Sequence, residues 1–337
     1  MADPGATMRA LFLPAARRLE LRQVPVPRPE PGEALVRVRV CGICGSDLSV
    51  FKTGALAGPG TVLGHEVVAD VVDDPTGTWK VGTRVVVYPP RGCGECHWCR
   101  RGEPRHCEGA DDRRRWGGFA EYATYPAAHL LAVPDSLPDE AAVLADPLGV
   151  ALRAVDLAGA RPGMLAYVNG LGSIGLCSVS ALVAAGCTVV AGDPIRERRD
   201  QAVRLGAVST LDPVRDDPYE AGRALDPAGP RIAFECSGVP EGLQGIFDAG
   251  GPGAAIGILG IPTAPVLLLR MTVREQRAFS IAGPSIESMR AALAHLAARP
   301  ELTEIVTGRV GLDEVEVAME KLIVGDGGIK VMVDPRR

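Results

Sequence analysis

Leu165-Ala-Tyr-Val-Asn-Gly-Leu-Gly-Ser-Ile-Gly-Leu-Cys-Ser-Val-Ser-Ala-Leu-Val-Ala-Ala185 carries the reading of the fold. Leu165 to Asn169 has the length and apolar character of a buried strand, and Ser173 to Ala185 those of a helix. Between them, Gly170, Gly172 and Gly175 fit the spacing G-x-G-x-x-G. The first glycine permits a tight turn, the second the close approach of a pyrophosphate, and the third helix–strand packing. A pyrophosphate would rest on the free N–H groups of the first turn, Ser173 and Ile174 included, at the positive end of the helix. Asp193, 23 residues after Gly170, follows the next strand, Thr188 to Gly192. A carboxylate there accepts hydrogen bonds from an adenosine ribose and repels a 2′-phosphate, which favours NAD over NADP. Arg196 and Arg198 follow closely and soften that preference. The competing reading is a Rossmann domain that is cofactor-free or holds S-adenosylmethionine.

Outward from this stretch the rhythm continues. Arg196 to Leu205 reads as a helix, and Ile232 to Cys236 and Ala255 to Leu259 as buried strands, the pattern of βαβ units and a parallel sheet. The earlier part of the chain has a different texture. Leu35 to Val40 alternates apolar and charged residues with period two. Val67 to Val72 and Arg84 to Tyr88 are further short strands, and Pro- and Gly-rich turns separate them, which suggests a small barrel. Asp139 to Ala160 reads as two helical pieces broken at Pro147, with Asp139 as N-cap. Glu287 to Ala298 and Asp313 to Ile323 read as helices and Ile329 to Val333 as a final strand. The fold class is α/β, a β-barrel region joined to a Rossmann region.

Composition narrows the function. The chain has 337 residues, 47% hydrophobic and 23% charged, so bulk disorder is excluded. A net charge of −5 argues against nucleic acid or an acidic membrane as partner. No apolar run approaches the roughly 20 residues of a membrane span. Met1 to Thr7 lacks the basic-then-apolar pattern of a signal peptide. The expectation is a cytoplasmic protein acting on a small molecule. Of 36 basic residues only Lys52, Lys80, Lys321 and Lys330 are lysine, a coding bias of a high-GC bacterial genome.

Nine cysteines is an odd number, which makes a disulfide framework a poor reading. Cys93, Cys96, Cys99 and Cys107 crowd into a polar, Gly-rich loop, a spacing at which four thiolates close around one tetrahedral Zn²⁺ and pin a loop with little core of its own. An iron–sulfur cluster, a redox-active thiol group and a zinc ribbon are the alternatives. The ferredoxin run has a shorter last gap followed by Pro, and a ribbon calls for two separated pairs in a basic domain. Cys41-Gly-Ile-Cys44-Gly-Ser46-Asp47 follows a strand of the β region, not the βαβ context of a redox pair. Gly64-His65-Glu66 heads another strand. One thiolate and one imidazole with carboxylates nearby make an incomplete zinc shell, as a catalytic site needs. Cys41, Cys177, Cys187 and Cys236 read as small core residues, and His97, His106, His129 and His295 carry no partner pattern. Arg113-Arg114-Arg115, after Asp111-Asp112, is either a solvated loop or a cationic rim beside a substrate.

Together these motifs resemble the zinc-containing medium-chain dehydrogenase/reductase superfamily, in particular its polyol, sugar and secondary-alcohol dehydrogenases. From Met8 onward the resemblance covers almost the whole chain. It takes in Pro31-Gly-Glu-Ala-Leu-Val, Cys41-Gly-Ile-Cys-Gly-Ser-Asp, Leu63-Gly-His-Glu, Val81-Gly-Thr-Arg-Val, the four-cysteine lobe, Gly117-Gly-Phe-Ala-Glu-Tyr, Ala145-Asp-Pro-Leu-Gly-Val-Ala-Leu, the Gly170 fingerprint and Gly328-Ile-Lys-Val. It implies a GroES-like catalytic domain over residues 1–147 and 284–337, a structural zinc lobe at about 92–109, and an inserted Rossmann domain over 148–283 with the active site in the cleft. Cys44 and His65 map onto catalytic zinc ligands. Asp146 falls where polyol and glucose dehydrogenases of the family carry Glu, as a ligand or a water-bridged neighbour, and Glu66 maps onto a carboxylate that can exchange into the metal sphere. Asp47 would orient His65, Lys330 would pair with Glu66, and Ser46 would hydrogen-bond the substrate oxygen. Ser49 stands where many relatives have the His of a proton relay. The segments Ala55 to Thr61 and Ala110 to Trp116 are short, which implies a different substrate pocket.

The implied activity is zinc-dependent hydride transfer between a secondary alcohol and NAD, with two Zn²⁺ per chain, in a homodimer or homotetramer. Pairing through a Rossmann edge strand places that strand at Val266 to Val273. Asp47, Glu66, Asp146 and, if it faces inward, the nearby Glu121 would suit a polyol, sugar or aminocyclitol. The rivals are an apolar secondary alcohol held by Phe51 and Trp116, and an NADPH-dependent ketone reductase. A non-enzymatic member would be expected to lose the metal ligands or the fingerprint, and this chain keeps both.

Overall fold

The computed structural model describes residues 6–55, 60–89, 92–109, 116–261 and 264–337. Its first part is strand-rich, with β1 (Thr7–Ala15), β2 (Arg18–Pro25), β3 (Glu33–Gly42), β4 (Thr61–Val62), β5 (Glu66–Asp73), β6 (Arg84–Val87), β7 (Tyr122–Pro126) and β8 (Leu130–Ala132). Helices α1 (Gly45–Thr53) and the single-turn α2 (His97–Arg100) lie between these strands. Next come α3 (Asp139–Ala142) and α4 (Ala145–Ala158). Strand and helix then alternate through β9 (Leu165–Asn169), α5 (Ser173–Ala184), β10 (Thr188–Gly192), α6 (Arg196–Arg204) and β11 (Ser209–Leu211). The alternation goes on through α7 (Pro218–Arg223), β12 (Ile232–Glu235), α8 (Pro240–Ala249), β13 (Ala255–Ile258), α9 (Leu269–Val273) and β14 (Arg277–Ser280). The chain ends with α10 (Ile286–Ala298), β15 (Val306–Val310), α11 (Val315–Ile323) and β16 (Lys330–Val333).

The alternating segment becomes β3, the spine of the first unit. It pairs antiparallel with β5 along Leu35–Gly42, with β7 along Glu33–Arg37 and with β16 at Cys41–Gly42. The sheet order is β15-β16-β3-β5-β6-β8, and a smaller sheet runs β2-β1-β4. Val36, Val38, Ala69, Val85 and Phe119 fill its core, and Leu312, Val315 and Met319 from the C-terminal tail complete it. This burial explains why the tail returns to the N-terminal part: residues 293–337 form one unit with residues 1–146.

The second unit, residues 147–292, holds a six-stranded parallel sheet of order β11-β10-β9-β12-β13-β14. Every residue of β9 is buried, as a central strand of a sheet covered on both faces requires. The second boundary falls inside α10, later than the expected 284. Gly149 explains the shift: a Cβ there would lie 3.0 Å from Pro284 and 3.2 Å from Met289, so the start of α10 packs on α4.

Three local expectations are corrected. Asp139 is the first residue of α3, not its cap; its carboxylate accepts from Arg39 Nε at 2.8 Å and an Arg84 NH group at 3.1 Å. The helical break falls at Val143–Leu144, and Pro147 sits in the first turn of α4, where a missing N–H costs nothing. Val266 to Val273 is not the edge strand. Leu269–Val273 is helix α9, and the edge is β14. A run of apolar side chains cannot by itself distinguish strand from short helix.

Candidate active site

Three segments of the first unit converge on one cluster: the residues after β3, the head of β5 and the head of β16. Cys44 caps α1, and Asp47, three residues on, closes the cap by accepting from the Cys44 N–H at 2.8 Å. The sulfur thus stands at the positive end of a helix. Asp47 is fully buried and its other oxygen accepts from the Gly64 N–H at 3.1 Å, tying the two segments together. Gly64 has φ +87°, and a Cβ there would lie 2.5 Å from the Phe119 ring, so only glycine turns the chain tightly enough to present His65. His65 Nδ1 lies 3.6 Å from Asp47 Oδ1, and its ring forms a T-shaped pair with Trp116 at a centroid distance of 5.0 Å.

Glu66 pairs in register with Gly42, where a side chain would collide with its carboxylate. Lys330 Nζ, fully buried, donates to both Glu66 oxygens at 2.6 and 2.8 Å and to the Ile43 carbonyl at 3.0 Å. Burial opposes the lysine charge, yet Glu66, Cys44 and Asp47 raise its pKa. One ligand atom from each of Cys44, His65 and Glu66 lies within 4.8 Å of the others. Asp146 is not one of those three; it is buried in the first turn of α4. Ser46 follows Cys44 by two residues in α1, half-buried, and Ser49 is half-buried one turn on.

Two expected contributors fall away. Phe51 has no exposed surface and belongs to the barrel core, so it cannot line an open pocket. Glu121 faces elsewhere, accepting from the Arg9 N–H at 2.7 Å and Arg9 Nε at 3.0 Å. The Arg113–Arg115 rim lies outside the described residues, as do residues 56–59 and 110–115 of the two short segments.

The four-cysteine lobe is built differently. Of residues 92–109, Pro104 alone is buried. One sulfur from each of Cys93, Cys96, Cys99 and Cys107 nevertheless lies within 4.8 Å of the other three. Backbone N–H groups point at the sulfurs: Cys93 N donates to Cys107 Sγ at 3.2 Å and Cys96 N to Cys93 Sγ at 3.3 Å. Backbone donation from Cys99, with its neighbouring thiols, pulls Cys96 down to about 6.

Both donor sets fit a soft divalent cation. Four sulfurs with amide donors and little core of their own form a closed thiolate shell. At the other cluster, burial works against a charged His65, yet Asp47 and Cys44 hold its pKa well above the usual histidine range. A metal ion there would supply, in place of the proton, the positive charge that Asp47 and Cys44 favour on His65.

In the second unit, Gly170 N donates to the Gly192 carbonyl at 2.8 Å, so the fingerprint crosses onto β10. Gly170 has φ +86°, and a Cβ would lie 2.5 Å from Ser237 N; one on Gly175 would strike the Gly170 carbonyl at 1.8 Å. At Gly172 nothing lies within 4 Å, which leaves open space at the start of α5, beside Ser173 and Ile174. Asp193, buried, accepts from Leu171 N at 2.7 Å and Ile195 N at 2.9 Å, with an Arg198 NH group 3.7 Å away. Cys41, Cys177 and Cys187 are buried, whereas Cys236 is half-buried. Sequence reading missed Glu235, a fully buried carboxylate at the end of β12. An acid closing an apolar strand just before Ser-Gly was the available signal.

Comparison with known proteins identifies the family. Residues 30–135 match the alcohol dehydrogenase GroES-like domain and residues 173–298 the zinc-binding dehydrogenase family. L-threonine 3-dehydrogenase of Pyrococcus horikoshii is 35% identical over 255 residues, 72% of each chain. The chain belongs to the zinc-containing medium-chain dehydrogenase superfamily. It is an oxidoreductase of CH–OH donors, with a GroES-like unit and a Rossmann unit. This dehydrogenase is also similar to the sorbitol dehydrogenase of Bacillus subtilis, 27% identical over 98% of each chain. Among solved structures, a zinc-binding dehydrogenase from Sinorhizobium meliloti bound to NADP is 29% identical, with a TM-score of 0.88 over 98% of this chain and 100% of that one. No helix of the described residues is long and apolar enough to cross a membrane.

Proposed function

We propose that this dehydrogenase oxidises a secondary alcohol bearing a polar neighbour, such as a polyol, sugar or aminocyclitol, with NAD and two zinc ions per chain. The observation that carries the reading is the incomplete donor set of half-buried Cys44, two residues from Ser46 at the start of α1, with buried His65 and Glu66. Cys44 and His65 would hold one zinc ion, with Asp146 and Glu66 as its carboxylate partners, and the four-cysteine lobe would hold the other. When bound, the first zinc supplies Lewis acidity to the substrate oxygen and the nicotinamide supplies the hydride acceptor.

The chain's own residues do the rest. Asp47 closes the start of α1, ties it to Gly64 and faces the His65 ring, which it would orient once the metal is bound. Ser46 receives the hydroxyl proton. Ser49 cannot offer an imidazole's proton affinity, so Ser46 passes its own proton on to water or to another group. Lys330 donates to both Glu66 oxygens and fixes that carboxyl group at the edge of the cluster. The open space at Gly172 admits the pyrophosphate, and Asp193 disfavours a 2′-phosphate. Arg198, close beside Asp193, supports a second reading in which NADP is also used, as does the NADP bound to the Sinorhizobium relative.

The substrate class rests on the relatives more than on carboxylate crowding. Glu121 is turned to Arg9, Asp47 to backbone amides and Glu66 to Lys330. Sorbitol and L-threonine, named for two relatives, each set a polar group beside a secondary hydroxyl. Leu267, Leu268, Leu269 and Val273 are exposed on the second unit and support a homodimer or homotetramer. The test is an NAD⁺-coupled panel of polyols, cyclitols and L-threonine against 2-butanol and benzyl alcohol, with NADP⁺ in parallel. A preference of at least about 10²-fold in kcat/KM for a polar-flanked alcohol is expected, the size of lost polar contacts. Efficient turnover of 2-butanol or benzyl alcohol with none for the others would overturn the substrate class. Equal kcat/KM for NAD⁺ and NADP⁺ would overturn the cofactor choice.

A further inference from the structure

The sheet order reverses between β9 and β12: β10 and β11 lie on one side, β13 and β14 on the other. In open sheets of this kind, ligands sit outside the carboxyl ends of the strands at that reversal. Asn169 ends β9, Glu235 ends β12, and the two are register partners. Glu235 is completely buried, and none of the chemistry above uses it.

Its side chain gathers a turn. Glu235 Oε1 accepts from Ser237 N at 2.8 Å, from the Ser237 hydroxyl and from Gly238 N at 3.2 Å. That turn bears directly on the fingerprint, because a Cβ on Gly170 would lie 2.5 Å from Ser237 N and 2.6 Å from its Cα. The main-chain carbonyl of Glu235 also accepts from Leu259 N at 2.8 Å and Gly260 N at 2.9 Å, so the loop after β13 is held at the same point. On the other side of β9, Asp193 ties Leu171 in the same manner. Two buried carboxylates thus flank the central strand, one holding the Gly-rich turn and the other the turn that presses on it. An ionised acceptor in a dry site holds N–H and O–H donors more tightly than a neutral one does.

We propose that Glu235 is a positioning residue for the dinucleotide: it holds the Ser237–Gly238 turn against Gly170 and so sets the width of the crevice at the ends of β9 and β12. The proposal rests on the dinucleotide reading above. The experiment titrates the purified wild-type protein, Glu235→Gln and Ser237→Ala with NADH and NADPH by nicotinamide fluorescence. Steady-state kinetics, zinc content and Tm are measured on the same preparations. Glu235→Gln keeps the shape and one acceptor but removes the charge. It should raise the NADH Kd and the KM for NAD⁺ about tenfold, the size of one charge-assisted hydrogen bond. The kcat at saturating cofactor, the KM for alcohol and the zinc content should stay within about twofold, because those contacts are untouched. Ser237→Ala removes one donor, should raise the Kd by about threefold, and decides the matter if the first variant does not fold. A lower Tm with unchanged NADH affinity would show a merely structural role and overturn the proposal. A fall in kcat with unchanged Kd would place Glu235 in the chemistry and also overturn it. Failure of the wild-type protein to bind either dinucleotide would instead overturn the reading beneath it.

Discussion

Cys93, Cys96, Cys99 and Cys107 sit in a lobe whose buried residue is Pro104 alone, whereas Cys44, His65 and Glu66 stand against the barrel core with Asp47 and Lys330 fully buried beside them. The lobe has donors of one kind, four thiols steadied by backbone amides. The other cluster mixes thiol, imidazole and carboxylate: Asp47 accepts from the Cys44 N–H and faces His65, and Lys330 donates to Glu66. A site that supplies all four ligands from a coreless loop is suited to holding the loop together. A site whose ligands are positioned by the core, and whose shell is incomplete, is suited to exchanging a substrate. The same element placed in the two settings should therefore do different work.

Substitutions can break that comparison. Cys44→Ala should remove one zinc ion and reduce turnover below detection while leaving Tm nearly unchanged, because the barrel core is intact. Cys99→Ala should remove the other zinc ion and lower Tm, with turnover per folded molecule retained. Metal analysis, calorimetry and kinetics on both variants check the pair, and exchanged phenotypes would reverse the assignment. Lys330→Met strands Glu66 as a buried charge without its partner and should destabilise by about 3–5 kcal/mol in urea unfolding. An unchanged midpoint would show that Glu66 is solvated or neutral.

Smaller effects sharpen the contrast within the buried cluster. Ser46→Ala should lower kcat by roughly 10²-fold or more, the scale of general acid–base catalysis. Ser49→Ala should change it by less than about threefold, since a serine there contributes little proton affinity. Asp47→Asn should weaken zinc binding about 10-fold, at the low end for a group that orients a ligand. Competition with a fluorescent chelator measures it, and the same substitution should leave the lobe's zinc untouched.

How far the sequence could be read followed the range of the interactions. The strand–glycine–helix passage is local, so β9, α5 and β10 lie where Leu165 to Gly192 suggested. The four-cysteine spacing is equally local, and the sulfurs do meet. Glu66 and Lys330 lie 264 residues apart, and only resemblance to a family, not spacing, could suggest their pairing. Glu121 looked available for the site because nothing local shows that Arg9, 112 residues earlier, would take it. Phe51 lies in helix α1, whose inward face of Asp47, Val50 and Phe51 is decided by barrel packing, not by its own pattern. The Val266–Val273 stretch was ambiguous in the physical sense: apolar runs suit strands and short helices alike, and here the helix won.

Zinc stoichiometry during chelation tests the central claim most directly. The purified protein is dialysed against a chelator of graded strength, and zinc content, activity and Tm are followed on the same samples. The account predicts two zinc ions per chain at the start. The first to leave should take all activity with it and leave Tm almost unchanged, and the second should leave later with a fall in Tm. A single zinc per chain, or activity that survives until the last zinc ion is lost, would contradict it.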